Sequence, residues 1–489
     1  MALPLRAAGR VIPAATLVSS NLHCLPSQLL VAELFFDVPL NYRDPDGEKI
    51  RLFGRAAFKH EKPIVASQPP WSTEMHAGNG LRDLLFGKPW LAYLEGGPGA
   101  GNREPQDYPI TRLLLGRGYQ LLFLDYRGTG MSTPVSAATL QQRGSATAQA
   151  EYLRQFRADN IVRDLEAVRR CLTADQPTTR RSWSIMGQSF GGFVSLTYLS
   201  NHPDSLREVF LTGGLAPVGH TADEVYRATY RKALERNQAY FRKFPEDSQA
   251  LRIIGNFLNK QPDGGLPLPA GGLLTFHRVL TFGYAFGFHG GLDNTHAILL
   301  RMRTDIDRLG ILSRPTLTAV EQFFPLDSMP IYGILHEPIY CYDKGIASRW
   351  AAQRVAAEFE QFQWLEQSVI SPVAEGQPHH YFSGEMIYPF MFDTYPELMQ
   401  IKEAANILAE YDDWEPLYDE KQLAENRVPV YAASYINDLY VDYELARETA
   451  RKVGNIKVFE TNTLYHNAIR SRPDEVMAQL FRLRDDSID

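Results

Sequence analysis

A chain of 489 residues, 44% hydrophobic and 22% charged with a formal net charge of -7, can bury a large core and is too long for one ordinary domain. Mild acidity without long runs of one sign offers no electrostatic footprint for a phosphate backbone or an anionic membrane, so neither nucleic acid nor membrane is an expected partner. The three cysteines, Cys24, Cys171 and Cys341, lack zinc or disulfide spacing and suit a reducing, cytoplasmic compartment.

The first segment carries Arg6 and Arg10 but is broken by Pro4 and Pro13. It has no uninterrupted apolar stretch of the kind a signal peptide needs, and residues 1–28 are expected to form an N-terminal surface extension. From Leu29 to Lys59 apolar runs flank the turn signal DPDGE, which predicts a β-hairpin and an antiparallel start to a sheet. PWLAYLEGGPG and YQLLFLDYRGTG each run a strand into a glycine-rich turn. Ile161, Leu165, Val168 and Leu172 then share one helical face. In SIMGQSFGGFVSL, residues 184–196, a strand ends in Gly187-Gln188-Ser189-Phe190-Gly191 and a helix follows until Pro203. REVFLTGG supplies another strand. Strands alternating with helices predict a mostly parallel sheet covered on both faces.

After Pro217 the alternation stops. The amphipathic patterns at 223–244 and 396–412 lie in a helix-rich, aromatic region that continues to residue 423. RVPVYAASYINDLYVD and NIKVFETNTLYH then return to strand followed by loop, and 472–483 reads as a final helix. The economical layout is an α/β-hydrolase core at 29–217 and 424–489, interrupted by a mainly helical cap at 218–423.

A strand, a tight Gly-x-Ser-x-Gly turn and a helix form a nucleophile elbow, which raises a serine hydroxyl at the top of an α/β-hydrolase sheet. A serine hydroxyl needs a base and a group to orient that base, in the chain order Ser, Asp or Glu, His. His466, after the strand IKVFE, is the expected base for Ser189, and Asp438, after PVYAAS, the expected orienting acid. Asp442 competes with Asp438 but starts a helix-like stretch and reads as its N-cap. The N–H of Phe190 and that of Gly97, in GGPG, are the expected oxyanion donors.

These motifs resemble the proline iminopeptidases, or prolyl aminopeptidases, of the α/β-hydrolase fold. The resemblance rests on EGGPG, DYRGTGMS (residues 125–132), GQSFGG, LTGGLAP and the late Asp and His, and covers most of the chain from about residue 30. It implies a cofactor-independent serine peptidase that releases an N-terminal residue, usually proline, from peptides. It also implies cap glutamates that hold the substrate amine, because a buried cation requires carboxylates. Glu337 in GILHEPIYC and Glu385 in FSGEMIYPFMF resemble the segments that carry them. Tyr388, Phe390 and Phe392 either wall a proline pocket or pack in the core. One departure stands out. The family commonly begins its oxyanion motif with histidine, where this chain has Glu95, so Glu95 is expected to be paired or turned away, toward Arg127. Asp125 and Arg127 are expected to be scaffold. An esterase or other small-molecule acyl hydrolase with the same triad stays open as an alternative. A catalytically silent fold is a further rival, while the epoxide and haloalkane hydrolases, with aspartate at the elbow, are disfavoured by Ser189. Oligomeric state is not readable from the sequence.

Overall fold

The computed structural model describes residues 12–26, 29–59, 87–371 and 380–486. Residues 1–11 and 27–28 of the expected extension lie outside the described residues, as do 60–86 and 487–489 of the expected core and 372–379 of the expected cap. The main sheet has nine strands: β1 Thr16–Leu25, β2 Leu29–Pro39, β3 Lys49–Lys59, β4 Trp90–Leu94, β5 Gln120–Leu124, β6 Trp183–Gln188, β7 Leu206–Thr212, β10 Val430–Tyr435 and β11 Ile456–Thr461. A separate small hairpin, β8 Gly265–Pro267 with β9 Leu273–Thr275, lies between β7 and β10. The spatial order is β1-β2-β3-β5-β4-β6-β7-β10-β11. The first three strands and the β3–β5 pair are antiparallel, and from β5 to β11 the sheet is parallel.

Alternation along the central strands divides the core between two faces. Leu91, Tyr93, Leu121, Phe123, Met186 and Phe210 pack under α1 Pro109–Gly116 and α8 Pro473–Asp485. Ala92, Leu94, Leu122, Leu124, Ile185 and Val209 face α2 Ala158–Leu172 and α3 Phe190–Asn201. The second cluster runs on without interruption into the helices between β7 and β10, among them α4 Ala222–Lys243 and α5 Ala351–Ala356. Helix α6 Tyr443–Lys452 follows β10, and α7 Ala468–Ser471 follows β11. Among the described residues no helix is long and apolar enough to cross a membrane.

Two elements differ from the sequence reading. Residues 16–25, expected in a surface extension, form β1 and pair antiparallel with β2. As an edge strand whose side chains are mostly exposed, β1 needs little hydrophobic pattern and so gives little sequence signal. The helix expected over 396–412 is two helices, Pro396–Met399 and Lys402–Glu410, because Ile401 leaves helical geometry and buries its side chain.

Arg127, in the turn after β5, is fully buried. It donates to Asp164 on α2 at 2.7 and 2.6 Å and to the carbonyls of Pro39, Leu40 and Gln155. Tyr42 also donates to Asp164, at 2.8 Å. The pair ties the end of β2 and the turn after β5 to α2. Replacing Asp164 by Ala leaves an uncompensated buried guanidinium and should cost about 3–5 kcal/mol of stability; equilibrium denaturation of D164A checks this.

Candidate active site

Ser189 sits between β6 and α3 with φ 54° and ψ -124°, a conformation that L-residues rarely adopt. It is tolerated because the surroundings enforce it. A Cβ on Gly191 would lie 2.0 Å from the Leu94 carbonyl oxygen, and one on Gly187 2.4 Å from the carbonyl oxygen of Gly191. Only glycine lets the elbow approach β4 this closely. Ser189 N–H donates to Thr212 O on β7 at 3.1 Å, which fixes the turn to the next strand.

The C-terminal ends of β10 and β11 bring two further side chains to this serine. Ser189 Oγ lies 2.8 Å from His466 Nε2, and His466 Nδ1 lies 2.8 Å from Asp438 Oδ2. An ionised carboxylate only accepts, so Nδ1 carries the hydrogen and Nε2 is left to accept from the serine. The other oxygen of Asp438 accepts the N–H groups of Tyr440 and Val441 at 2.8 and 3.1 Å, which locks its orientation. Asp442 instead caps α6, accepting from Glu444 and Leu445.

Phe190 is the first residue of α3, where an N–H has no intrahelical acceptor and points out of the helix end. Gly97 comes after β4 with φ 129°. Glu95 does not reach Arg127, whose donors serve Asp164 and three carbonyls. Its partner is Arg470 on α7, and Tyr108 donates to its second oxygen. Asp125 accepts from the N–H groups of Asn102 and Met131 at 2.7 and 2.9 Å, joining the loop after β4 to the turn after β5.

Of the two glutamates expected to hold a substrate amine, Glu385 accepts from Tyr332 Oη and stands 3.5 Å from His336 Nε2. Tyr332 borders the loop after β4, since a Cβ on Gly99 would lie 2.8 Å from its N. Glu337 is more deeply committed: its two oxygens accept the N–H groups of Ala351 and Ala352 at the start of α5, at 3.1 and 2.9 Å. Tyr388 and Phe392 are core residues, Tyr388 donating to or accepting from Tyr230 Oη at 2.9 Å, and half-buried Phe390 packs near His277. Among the described residues no group of three or more His, Cys, Asp or Glu side chains is placed to cage a metal ion.

Burial alone would make His466 a weaker base, but the charge and hydrogen bond of Asp438, with a contribution from Glu385, outweigh it and raise its pKa above 6.5. Burial pushes Glu337 up to about 7, against the lowering effect of its α5 amides.

Sequence reasoning missed Arg470, Tyr108, Tyr332 and His336. Arg470 lies one helical turn beyond His466, yet its partner is 375 positions away in the chain. The only local signal was the unusual acid at position 95.

A parallel sheet with a strained serine after its central strand, in hydrogen-bonded sequence with a histidine and an aspartate, is the architecture of an α/β-hydrolase. Residues 89–253 match the family model of the alpha/beta hydrolase fold. A proline iminopeptidase (aneH) of Aspergillus aculeatus is 38% identical over 98% of this chain and 99% of its own length. One of Aeromonas sobria is 40% identical over 96% and 98% respectively. The chain belongs to the proline iminopeptidase family.

The folded chain holds a proton on Glu337 up to about pH 7, while the unfolded chain releases it near 4.5. The folded state therefore binds the extra proton in that window, and this group makes stability fall as pH rises through it. In Glu337→Gln the decline in Tm across the window should flatten, measured by thermal unfolding at a series of pH values. A Tm profile parallel to that of the parent would contradict the assignment.

Proposed function

We propose that this chain is a serine aminopeptidase that releases an N-terminal proline from peptides through Ser189, His466 and Asp438. The observation that carries the reading is the unbroken relay Ser189–His466–Asp438 in a chain similar over nearly its whole length to proline iminopeptidases.

Ser189 Oγ attacks the carbonyl carbon of the N-terminal residue while His466 Nε2 takes its proton, and Asp438 stabilises the imidazolium. The N–H groups of Phe190 and Gly97 accommodate the oxyanion. Collapse breaks the C–N bond, the proton passes from His466 to the leaving amine, and a prolyl ester of Ser189 remains. Water then attacks this ester with His466 again as base, freeing proline and Ser189. Glu385, with one oxygen held by Tyr332, meets the substrate ammonium. Glu337 stands one residue beyond His336, and because its oxygens are committed to α5 it offers no direct hydrogen bond and contributes negative charge only above about pH 7, where it ionises. Substrates are peptides with a free N-terminal proline or similar residue, no cofactor takes part, and the free thiols of Cys24, Cys171 and Cys341 support a cytoplasmic location.

Ser189→Ala should abolish turnover of a proline anilide without altering the fold, and retained activity would overturn the nucleophile assignment. Glu385→Gln should raise KM for free-amine substrates by about 10- to 100-fold, the worth of a hydrogen bond to a charged group, while sparing simple esters. Equal effects on prolyl anilides and simple esters would favour an esterase. Because His466 must be neutral to act, kcat/KM should fall as pH drops through its raised pKa, shown by a pH–rate profile of the parent enzyme.

A further inference from the structure

Glu95 directly follows β4 and begins the loop that carries Gly97. One carboxylate oxygen accepts the N–H of Gly96 at 2.8 Å, next to the expected oxyanion donor, and the same oxygen receives the Arg470 guanidinium. The other receives Tyr108 Oη. The carboxylate is thus both a brace for the oxyanion loop and the anchor of a cation. Arg470 lies on α7, four residues beyond His466, and that helix is itself held. His466 N donates to Gly287 O at 3.3 Å, and Asn467 Oδ1 accepts from His289 N at 3.0 Å.

In the sheet, β4 and β11 are separated by β6, β7 and β10. No ladder hydrogen bond therefore sets the oxyanion loop, which leaves β4, directly against the histidine loop, which leaves β11. We propose that Arg470 is a positioning residue that holds these two loops in one register through its ion pair with the buried Glu95 carboxylate.

The same cation acts on the base. His466 touches Asp438 from the loop after β10, Ser189 from the elbow and Tyr440, its ring 4.5 Å away, and the charges of Glu385 and of Arg470 on α7 also act on it. Of these Arg470 is the cation, and its charge opposes that of the imidazolium. Losing the ion pair therefore has two separable effects: misplacement of the oxyanion donors relative to the base, and a change in where His466 titrates.

The test rests on Ser189 being the nucleophile. It reads the rate at which a fluorophosphonate labels Ser189 across pH, together with the NMR titration of the His466 imidazole in a Ser189→Ala background. Arg470→Met should slow labelling by about ten- to a hundredfold, as expected for misplaced catalytic groups, and should shift both the acid limb and the imidazole titration to higher pH. Arg470→Lys should slow labelling while leaving the titration near its parental position. Glu95→Gln, which leaves the cation unneutralised, should slow labelling with the titration unmoved or lowered. These two conservative variants carry the test if Arg470→Met does not fold. Parental labelling rates in the Arg470 and Glu95 variants would overturn the proposal, as would slowed labelling in Arg470→Met with an unmoved titration. An unlabelled parent would instead sink the nucleophile assignment.

Discussion

The site depends on one close approach, that of the turn after β6 to the end of β4. With Gly191 against the Leu94 carbonyl, the chain leaves the strand and enters α3 within a single residue, and that residue is Ser189 at a positive φ. The strain is sustained by the sheet around it, because the Ser189 N–H is tied to β7 and the glycines leave no alternative path. The same geometry gives the serine its neighbours. The start of α3 supplies an unclaimed N–H from Phe190, and the adjoining β4 feeds directly into the glycine-rich loop after Glu95.

Around this turn the protein gives its buried carboxylates cationic or imidazole partners. Asp438 with His466, Arg127 with Asp164, and Glu95 with Arg470 each join segments remote in sequence. A buried charge without its partner is far costlier than a missing apolar contact, so each set prescribes which segments meet. The sets differ in consequence. Arg127 and Asp164 hold the scaffold, whereas the other two converge on the groups around Ser189. Glu337 is a further buried carboxyl, held by backbone amides instead of a cation, and burial raises its pKa to about 7 because those amides compensate only in part.

Much of the core was legible in the sequence because its signals are local. The strand-glycine-serine-glycine-helix order marks the elbow within a dozen residues. Asp438 and Asp442 are told apart by the residues directly C-terminal to each, a loop in one case and an amphipathic helix in the other. The features that escaped the sequence are non-local or weakly patterned. Strand β1 lies at an edge with exposed side chains and carries almost no alternation. The acid at position 95 announced that a partner must exist, but nothing near it distinguishes Arg470 from Arg127. That Glu337 caps α5 was equally hidden, since α5 is six residues long and is preceded by Trp350 in left-handed geometry, whose side chain makes no capping hydrogen bond.

The apolar cluster that passes from the sheet into the helices above it has a thermodynamic corollary. Lifting those helices as a rigid body would wet a continuous oily seam, at about 25 cal/mol for every Å² uncovered. Wide hinged opening is thus heavily disfavoured, and the serine, only 8% exposed, stays largely shielded from bulk water in the resting fold.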